Sequence, residues 1–431
     1  MSEATARASR GADWFDDAGL GLFVHWDHAS QQGLEISWPL VGGAFALPAA
    51  RPVSVEAYHA SAARFDPSAF DAPGLARLAR RAGARYGVFT ARHHSGFSMF
   101  HSAHSRFGIA QTPHRRDLVR AFAEAFRAEG LRVGIYYSLS DWHHADYPAF
   151  TEADKPYVFG RSPRRASPEA WDRFLIYLFG QIRELLTGYG PIDLLWFDGG
   201  WERPAELWRP AELRELIRSL QPDCLVNDRL PGQGDFATPE QFVPALPPKG
   251  RWETCLTMND SWGFVPEDTA YKTPRALVHA LCETAGRGGN LLLNVSPRGD
   301  GTLPPEQVER LEALAGWMGR HGAAIHDTRP ALEAWQFYGP STRSGARTFA
   351  FLLARPYETA TVRGLAVRRV RSVRALGSGE RLRFRPRVPI LESLREDPVG
   401  EIEVAVPERA IDPFATVLEI EQDDAPPPRG Q

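Results

Sequence analysis

Hydrophobic and polar positions fall into two textures along this 431-residue chain. Up to about residue 328, short unbroken apolar runs alternate with longer stretches in which apolar residues return at helical spacing. The runs are 20–24 (LGLFV), 86–91 (YGVFTA), 131–137 (LRVGIYY), 193–198 (DLLWFD), 224–229 (CLVNDR), 252–257 (WETCLT) and 289–295 (GNLLLNV). Runs of that length between turn residues read as strands buried on both faces, as in a parallel sheet. Between them, 73–84, 117–130, 167–188, 210–220, 273–285 and 304–319 read as helices. Ser167 caps the third with Glu169 in its first turn, and the last has Pro304 near its start and Gly322 beyond its end. Strand and helix alternating some seven times predict a parallel sheet with helices outside it. A closed (β/α)8-like TIM barrel explains the pattern better than an open sheet. No GxGxxG or P-loop follows the first strand, and polar residues end many strands rather than two at a switch point.

From about Pro330 the runs shorten and alternate: TFAFLLAR, ATVRGLAV, SVRALGS, RLRFRPR, EIEVAVP and TVLEIEQ, separated by Gly, Pro and Ser. That pattern predicts an antiparallel β-sandwich. It carries many arginines but no cluster of His or carboxylate, so it reads as a packing domain. The chain is thus expected to divide into a loose arm (1–13), an α/β barrel (14–328), a sandwich (329–423) and a Pro-rich tail (424–431). Residues 230–251 read as a Pro-rich connection, and there is no internal repeat.

Composition narrows the partners. A formal charge of −3 gives no basic field for nucleic acid or an anionic membrane. Lysine occurs only at Lys155, Lys249 and Lys272, the remaining positive charge being arginine. Cys224, Cys255 and Cys282 lack any ligand spacing and read as buried free thiols in a reducing compartment. With no apolar leader at the N-terminus and no apolar run approaching 18 residues, a cytoplasmic protein is expected.

The strand ends carry the chemistry. A carboxylate at the end of a buried strand is where a barrel enzyme holds a reacting group, and Asp198 ends the run DLLWFD. If the other ends converge on it, one cavity holds His25, His93, His94, Tyr136, Trp196, Asp198, Arg229, Glu253 and Trp262. Two carboxylates among hydroxyl-binding His and Arg and flat indoles suit glycoside cleavage. The rival reading is a metal-dependent hydrolase. Against it, the first strand shows HWDH rather than His-x-His, and adjacent residues His93 and His94 face opposite ways on a strand unless it has already broken into loop. Trp14, Trp26 and Trp142 are equally consistent with core, Asp141 with a loop cap, and Asp228 with a local pair to Arg229. His101, His104, His143 and His144 read as solvated.

The motifs also resemble a known family. GLFVHWD, YGVFTARHHSGFSMF, GIYYSLSDW, LLWFDGGW, VNDR, RWETC followed by SWGF, and GGNLLLNVSPRGDG occur in the order seen in the α-L-fucosidases, glycoside hydrolase family 29. The resemblance spans roughly residues 14–325. It implies an exo-acting, retaining hydrolase of terminal α-L-fucosides, with Asp198 as nucleophile, Glu253 as acid/base, and no metal or cofactor. The partner would be a fucosylated oligosaccharide or glycoconjugate. By the same matching, His25, Trp38, His93, His94, Tyr136, Trp196, Arg229 and Trp262 would line the sugar pocket. Where many members read Glu-Trp-Tyr after the first strand, this chain reads GLEISWPL. Trp38 carries over, the preceding acid has become Ser37, and Glu35 lies two residues before it. An exo-glycosidase for a related sugar such as an α-L-galactoside, and a catalytically silent sugar-binding protein, are the alternatives.

Overall fold

The computed structural model describes residues 13–42, 53–148, 151–156 and 166–423. Most of the expected arm, the tail and parts of two long loops lie outside these. Seven parallel strands form one sheet: β1 (Leu20–Val24), β2 (Tyr86–Arg92), β3 (Arg132–Ser138), β4 (Leu194–Asp198), β5 (Leu225–Val226), β6 (Glu253–Leu256) and β7 (Asn290–Val295). Their order is β5-β4-β3-β2-β1-β7-β6. Each strand splits its side chains between two cores, which is why the runs are apolar throughout. Phe23, Val88, Tyr136, Leu194, Trp196 and Leu292 pack in the lumen. Their neighbours Leu22, Phe89, Ile135, Leu195 and Leu293 pack outward against the helices.

The gap between β5 and β6 is closed by the stretch read from sequence as a connection. Phe236 bridges Asn227, while Ala237 and Glu240 bridge Trp252 and Cys255, all in parallel sense. Asp228 N donates to Phe236 O at 2.9 Å, Glu253 N to Ala237 O at 3.0 Å and Gln241 N to Cys255 O at 2.9 Å. Residues 235–241 are therefore the eighth stave. Strand β5 is shorter than the expected 224–229. Beyond Val226, the Asn227 side chain takes over the pairing, accepting from Phe197 N at 2.8 Å and donating to Phe197 O at 2.9 Å.

The helices lie close to their expected bounds. Pro168–Gly188 starts as read, with the Ser167 hydroxyl accepting from Ala170 N, and Pro210–Leu220 matches end to end. No helix among the described residues is long and apolar enough to cross a membrane. The expected packing of free cysteines also holds, all three being buried and unpaired. Beyond the barrel, antiparallel strands form a six-stranded and a three-stranded sheet. The larger one rests on the helix Pro305–His321, where Trp317 Nε1 donates to Ala415 O at 3.0 Å and Phe349, Phe351 and Val417 join the barrel's outer core.

Phe236 locks the closing stave to the lumen, its ring 4.8 Å from that of Phe15. Phe236→Ala is expected to cost about 3–5 kcal/mol, read as a lowered denaturation midpoint in urea.

Candidate active site

Asp198 is the last residue of β4, and Gly199 turns the chain immediately after it in the left-handed region at φ 74°. A Cβ there would sit 2.4 Å from Ser140 Oγ, so the turn and the close approach both require glycine. The Asp198 carboxylate accepts from Tyr136 OH at 2.8 Å on one oxygen and from Arg229 Nη1 at 3.0 Å on the other. Burial alone would raise its pKa, but Arg229, His94 and the Tyr136 hydroxyl outweigh it and hold the group below 3.8. A buried carboxylate kept ionised and anchored on both oxygens is prepared to attack rather than to carry a proton.

It faces a cavity of about 430 Å³ whose walls include Phe23, His25, Trp38, His93, Trp196, Trp201, Arg229, Glu240 and Trp262. A hollow of about 620 Å³ on the C-terminal sheets is larger, but two of its glutamates are paired with arginines of its own wall, Glu408 with Arg355 and Glu380 with Arg409, and it holds no histidine.

The three histidines are neutral. Burial lowers His25 to about 3, His94 to about 4 and His93 well below 6.5. His25 Nδ1 meets Asn294 Oδ1 at 2.7 Å, and Asn294 Nδ2 donates to Trp262 O at 2.8 Å. That second bond fixes the amide's orientation, so His25 must donate from Nδ1, leaving Nε2 as an acceptor. His93 Nδ1 pairs with Ser37 Oγ at 2.6 Å, and His94 Nδ1 with Ser138 Oγ at 2.7 Å. His94 Nε2 is buried with no hydrogen-bond partner and lies 3.6 Å from Asp198 Oδ2.

The strand alternation invoked against a shared site for His93 and His94 does not apply, because β2 ends at Arg92. Both histidines lie in the loop beyond it. With Asp198 they bring three ligand atoms within 4.8 Å of one another, a set able to hold a metal ion. The Arg229 guanidinium already brings a positive charge to within 3.0 Å of the same carboxylate, and a metal ion would have to share that carboxylate with it.

The placement of Glu253 departs from expectation. Asp198 is the last residue of its strand, whereas Glu253 is the first of β6. Glu253 is fully buried in the lumen, one oxygen accepting from Trp196 Nε1 at 2.8 Å and the other from the Tyr86 hydroxyl. It does not line the cavity. Glu240 does, and sequence reading missed it. Arg229 Nη2 donates to Glu240 Oε2 at 2.5 Å while Nη1 holds Asp198, so both carboxylates sit on one guanidinium fork. The available signal was the alternation Phe236, Thr238, Glu240 inside a stretch dismissed for its prolines. Trp201 and Phe23 are further wall residues not singled out from sequence. Tyr136 reaches the site through Asp198, and Trp38 packs edge-on to His94 with ring centroids 5.6 Å apart.

Among the alternative readings, Trp26 and Trp142 are core. Asp141 caps its loop, accepting from His143 N and His144 N, and also pairs with buried Arg92. Asp228 bonds to Thr238, while Arg229 turns to the two acids. Neither Glu35 nor Ser37 lines the cavity. Ser37 supports His93, and Glu35 turns to the loop carrying Trp262.

Two carboxylates sharing an aromatic, sugar-sized hollow at the carboxyl end of a parallel barrel define a glycoside hydrolase site. Comparison with known proteins makes the class specific. The alpha-L-fucosidase family model matches residues 2–323. The tissue alpha-L-fucosidase of Mus musculus is 31% identical over 340 residues, covering 74% of this chain and 72% of that protein. Alpha-L-fucosidase isoenzyme 1 from Paenibacillus thiaminolyticus superposes with a TM-score of 0.84 at 33% identity, over 97% of this chain and all of that one. A covalent intermediate of a Bacteroides thetaiotaomicron alpha-L-fucosidase, trapped with 2-fluoro-fucosyl fluoride, shares the fold at 24% identity, with a TM-score of 0.80 and 96% coverage of both chains. The chain belongs to the α-L-fucosidases, glycoside hydrolase family 29.

Buried acids make stability depend on pH. Burial pushes Glu253 and Glu202 up to about 7 and Glu35 to about 8, from an ordinary 4.5. Between those values the folded chain keeps protons that the unfolded chain has released. Their contribution is therefore full below about pH 4.5 and is lost as pH rises through 7 to 8. The buried neutral histidines contribute with the opposite sign below about pH 6.5. The thermal midpoint is therefore expected to fall from pH 7 to 8.5, and the advantage of the wild type over Glu253→Gln to shrink as pH rises from 5 to 7.

Proposed function

We propose that the protein is an exo-acting α-L-fucosidase that releases terminal L-fucose with net retention, Asp198 serving as nucleophile and Glu240 as acid/base. The observation that carries this reading is the Arg229 fork, which ties an ionised, buried aspartate and a cavity-facing glutamate to adjacent nitrogens. A shared fork favours the ~5–5.5 Å carboxyl spacing of retaining enzymes over the ~6.5–9.5 Å of inverting ones. The covalent intermediate of the Bacteroides neighbour lends the same mechanism support.

In the first step an Asp198 oxygen bonds to the anomeric carbon as the glycosidic C–O bond breaks, and the Glu240 proton passes to the departing oxygen. In the second, Glu240, now a carboxylate, takes a proton from water. The water oxygen bonds to the anomeric carbon and the Asp198 ester is released. The neutral imidazoles orient hydroxyls, His25 Nε2 as acceptor, and the indole and phenyl faces of Trp262, Trp196 and Phe23 cover the apolar parts of the sugar.

Asp198→Gly is expected to reduce turnover to background, with added azide yielding the β-fucosyl azide. Glu240→Ala should lose about 10²–10⁴-fold in kcat on unactivated linkages, keep the first step for good aryl leaving groups, and give the α-fucosyl azide. Should Glu253→Gln, and not Glu240→Ala, respond to azide in this way, the acid/base assignment returns to Glu253. Aryl α-L-galactosides hydrolysed faster than aryl α-L-fucosides would move the substrate to the related sugar. Tight L-fucose binding without turnover of either glycoside would leave a sugar-binding protein.

A further inference from the structure

Trp262 stands on an irregular loop after β6, yet it forms one wall of the sugar cavity, its ring 4.7 Å from that of His25. An indole on a loop can define a subsite only if the loop backbone is fixed. Here both sides of one peptide segment are held from elsewhere in the chain. Glu35, itself buried, accepts from Trp262 N at 2.8 Å and from Gly263 N at 2.9 Å, one bond to each carboxyl oxygen. Asn294 donates to Trp262 O at 2.8 Å. The loop also presses directly on the residue after Glu35. A Cβ on Gly263 would lie 2.8 Å from Ile36 N and 3.3 Å from Ile36 Cβ. Ile36 cannot give way freely, because its carbonyl accepts from the buried Tyr58 hydroxyl.

The geometry points to Glu35 as a positioning residue: its carboxyl clamps two consecutive backbone N–H groups and so sets how the Trp262 wall stands beside His25 in the sugar cavity. Glu35 touches no reacting atom and does not line the cavity. Its effect passes through Trp262, and through Asn294 to the ring orientation of His25. Losing the clamp therefore loosens the grip on the sugar in ground state and transition state alike, which raises KM and leaves kcat nearly unchanged.

This inference rests on the sugar-subsite reading above, and the experiment separates the two. Glu35→Gln keeps the volume but sets an NH2 group against one of the two N–H donors. It is expected to raise the Kd for L-fucose about tenfold, the weight of one lost buried hydrogen bond. KM for an aryl α-L-fucoside should rise in proportion, with kcat kept within about threefold. Gly263→Ala pushes the loop off Ile36 without changing any acid, and should show the same split. It also serves if Glu35→Gln does not fold. A collapse of kcat at unchanged KM would make Glu35 part of the chemistry, and an unchanged Kd in either folded variant would remove the clamp. A wild-type protein that neither binds L-fucose nor hydrolyses the aryl fucoside would instead overturn the subsite reading itself.

Discussion

Asp198 and Glu240 come from staves on either side of the short strand β5, and two carboxylates brought to one place repel each other unless a fixed cation stands between them. Arg229, three residues beyond that strand, supplies it. One terminal nitrogen goes to each acid, and the guanidinium lies over the Trp196 ring at 4.5 Å. A planar, permanently charged group suits this place better than an ammonium would, since it meets two acceptors in fixed directions while stacking on an aromatic face. The aspartate that it keeps ionised is anchored from the other side by Tyr136. Asp198, the second acid and the aromatic wall are thereby set by one side chain.

That arrangement requires the eighth stave, because only a closed ring brings residue 240 round to face residue 198. The stave is held by backbone bonds to β5 on one side and β6 on the other, and by Phe236 packing in the lumen. Gly21 helps fill the lumen by its lack of a side chain. A Cβ there would fall 2.3 Å from the Tyr86 ring, which reaches across to Glu253. The lower lumen is thus a packed polar-aromatic layer beneath the sugar site, and Glu253 belongs to it.

The regular parts of this architecture were legible in the sequence because their signal is long. Strands buried on both faces leave unbroken apolar runs, and the helices carry their own caps and periodicity. What escaped were features that local pattern does not encode. The closing stave pairs through isolated bridges and is interrupted by Pro239, so its period-two signal is only three residues long. Glu253 sat in a recognisable motif, but its carboxyl is turned to Trp196 and Tyr86 inside the lumen, a placement visible only in three dimensions. His93 and His94 share a site because β2 stops one residue before them, a boundary finer than apolar spacing resolves. Asp198, at the junction of a long apolar run and two glycines, was marked on both sides, and it ends its strand at the cavity as expected.

The hydrogen-bonded imidazoles have a consequence for kinetics. Enzymes rich in active-site histidine commonly change charge near neutrality, so their rate profiles mix imidazole and carboxyl ionisations. Here burial holds His25, His93 and His94 uncharged near neutrality. An inflection that arises within this pocket between mild acid and mild base then belongs to its oxygen acids. The pocket offers the sugar an unvarying set of ring nitrogens while its carboxyl groups alone register the proton activity of the medium.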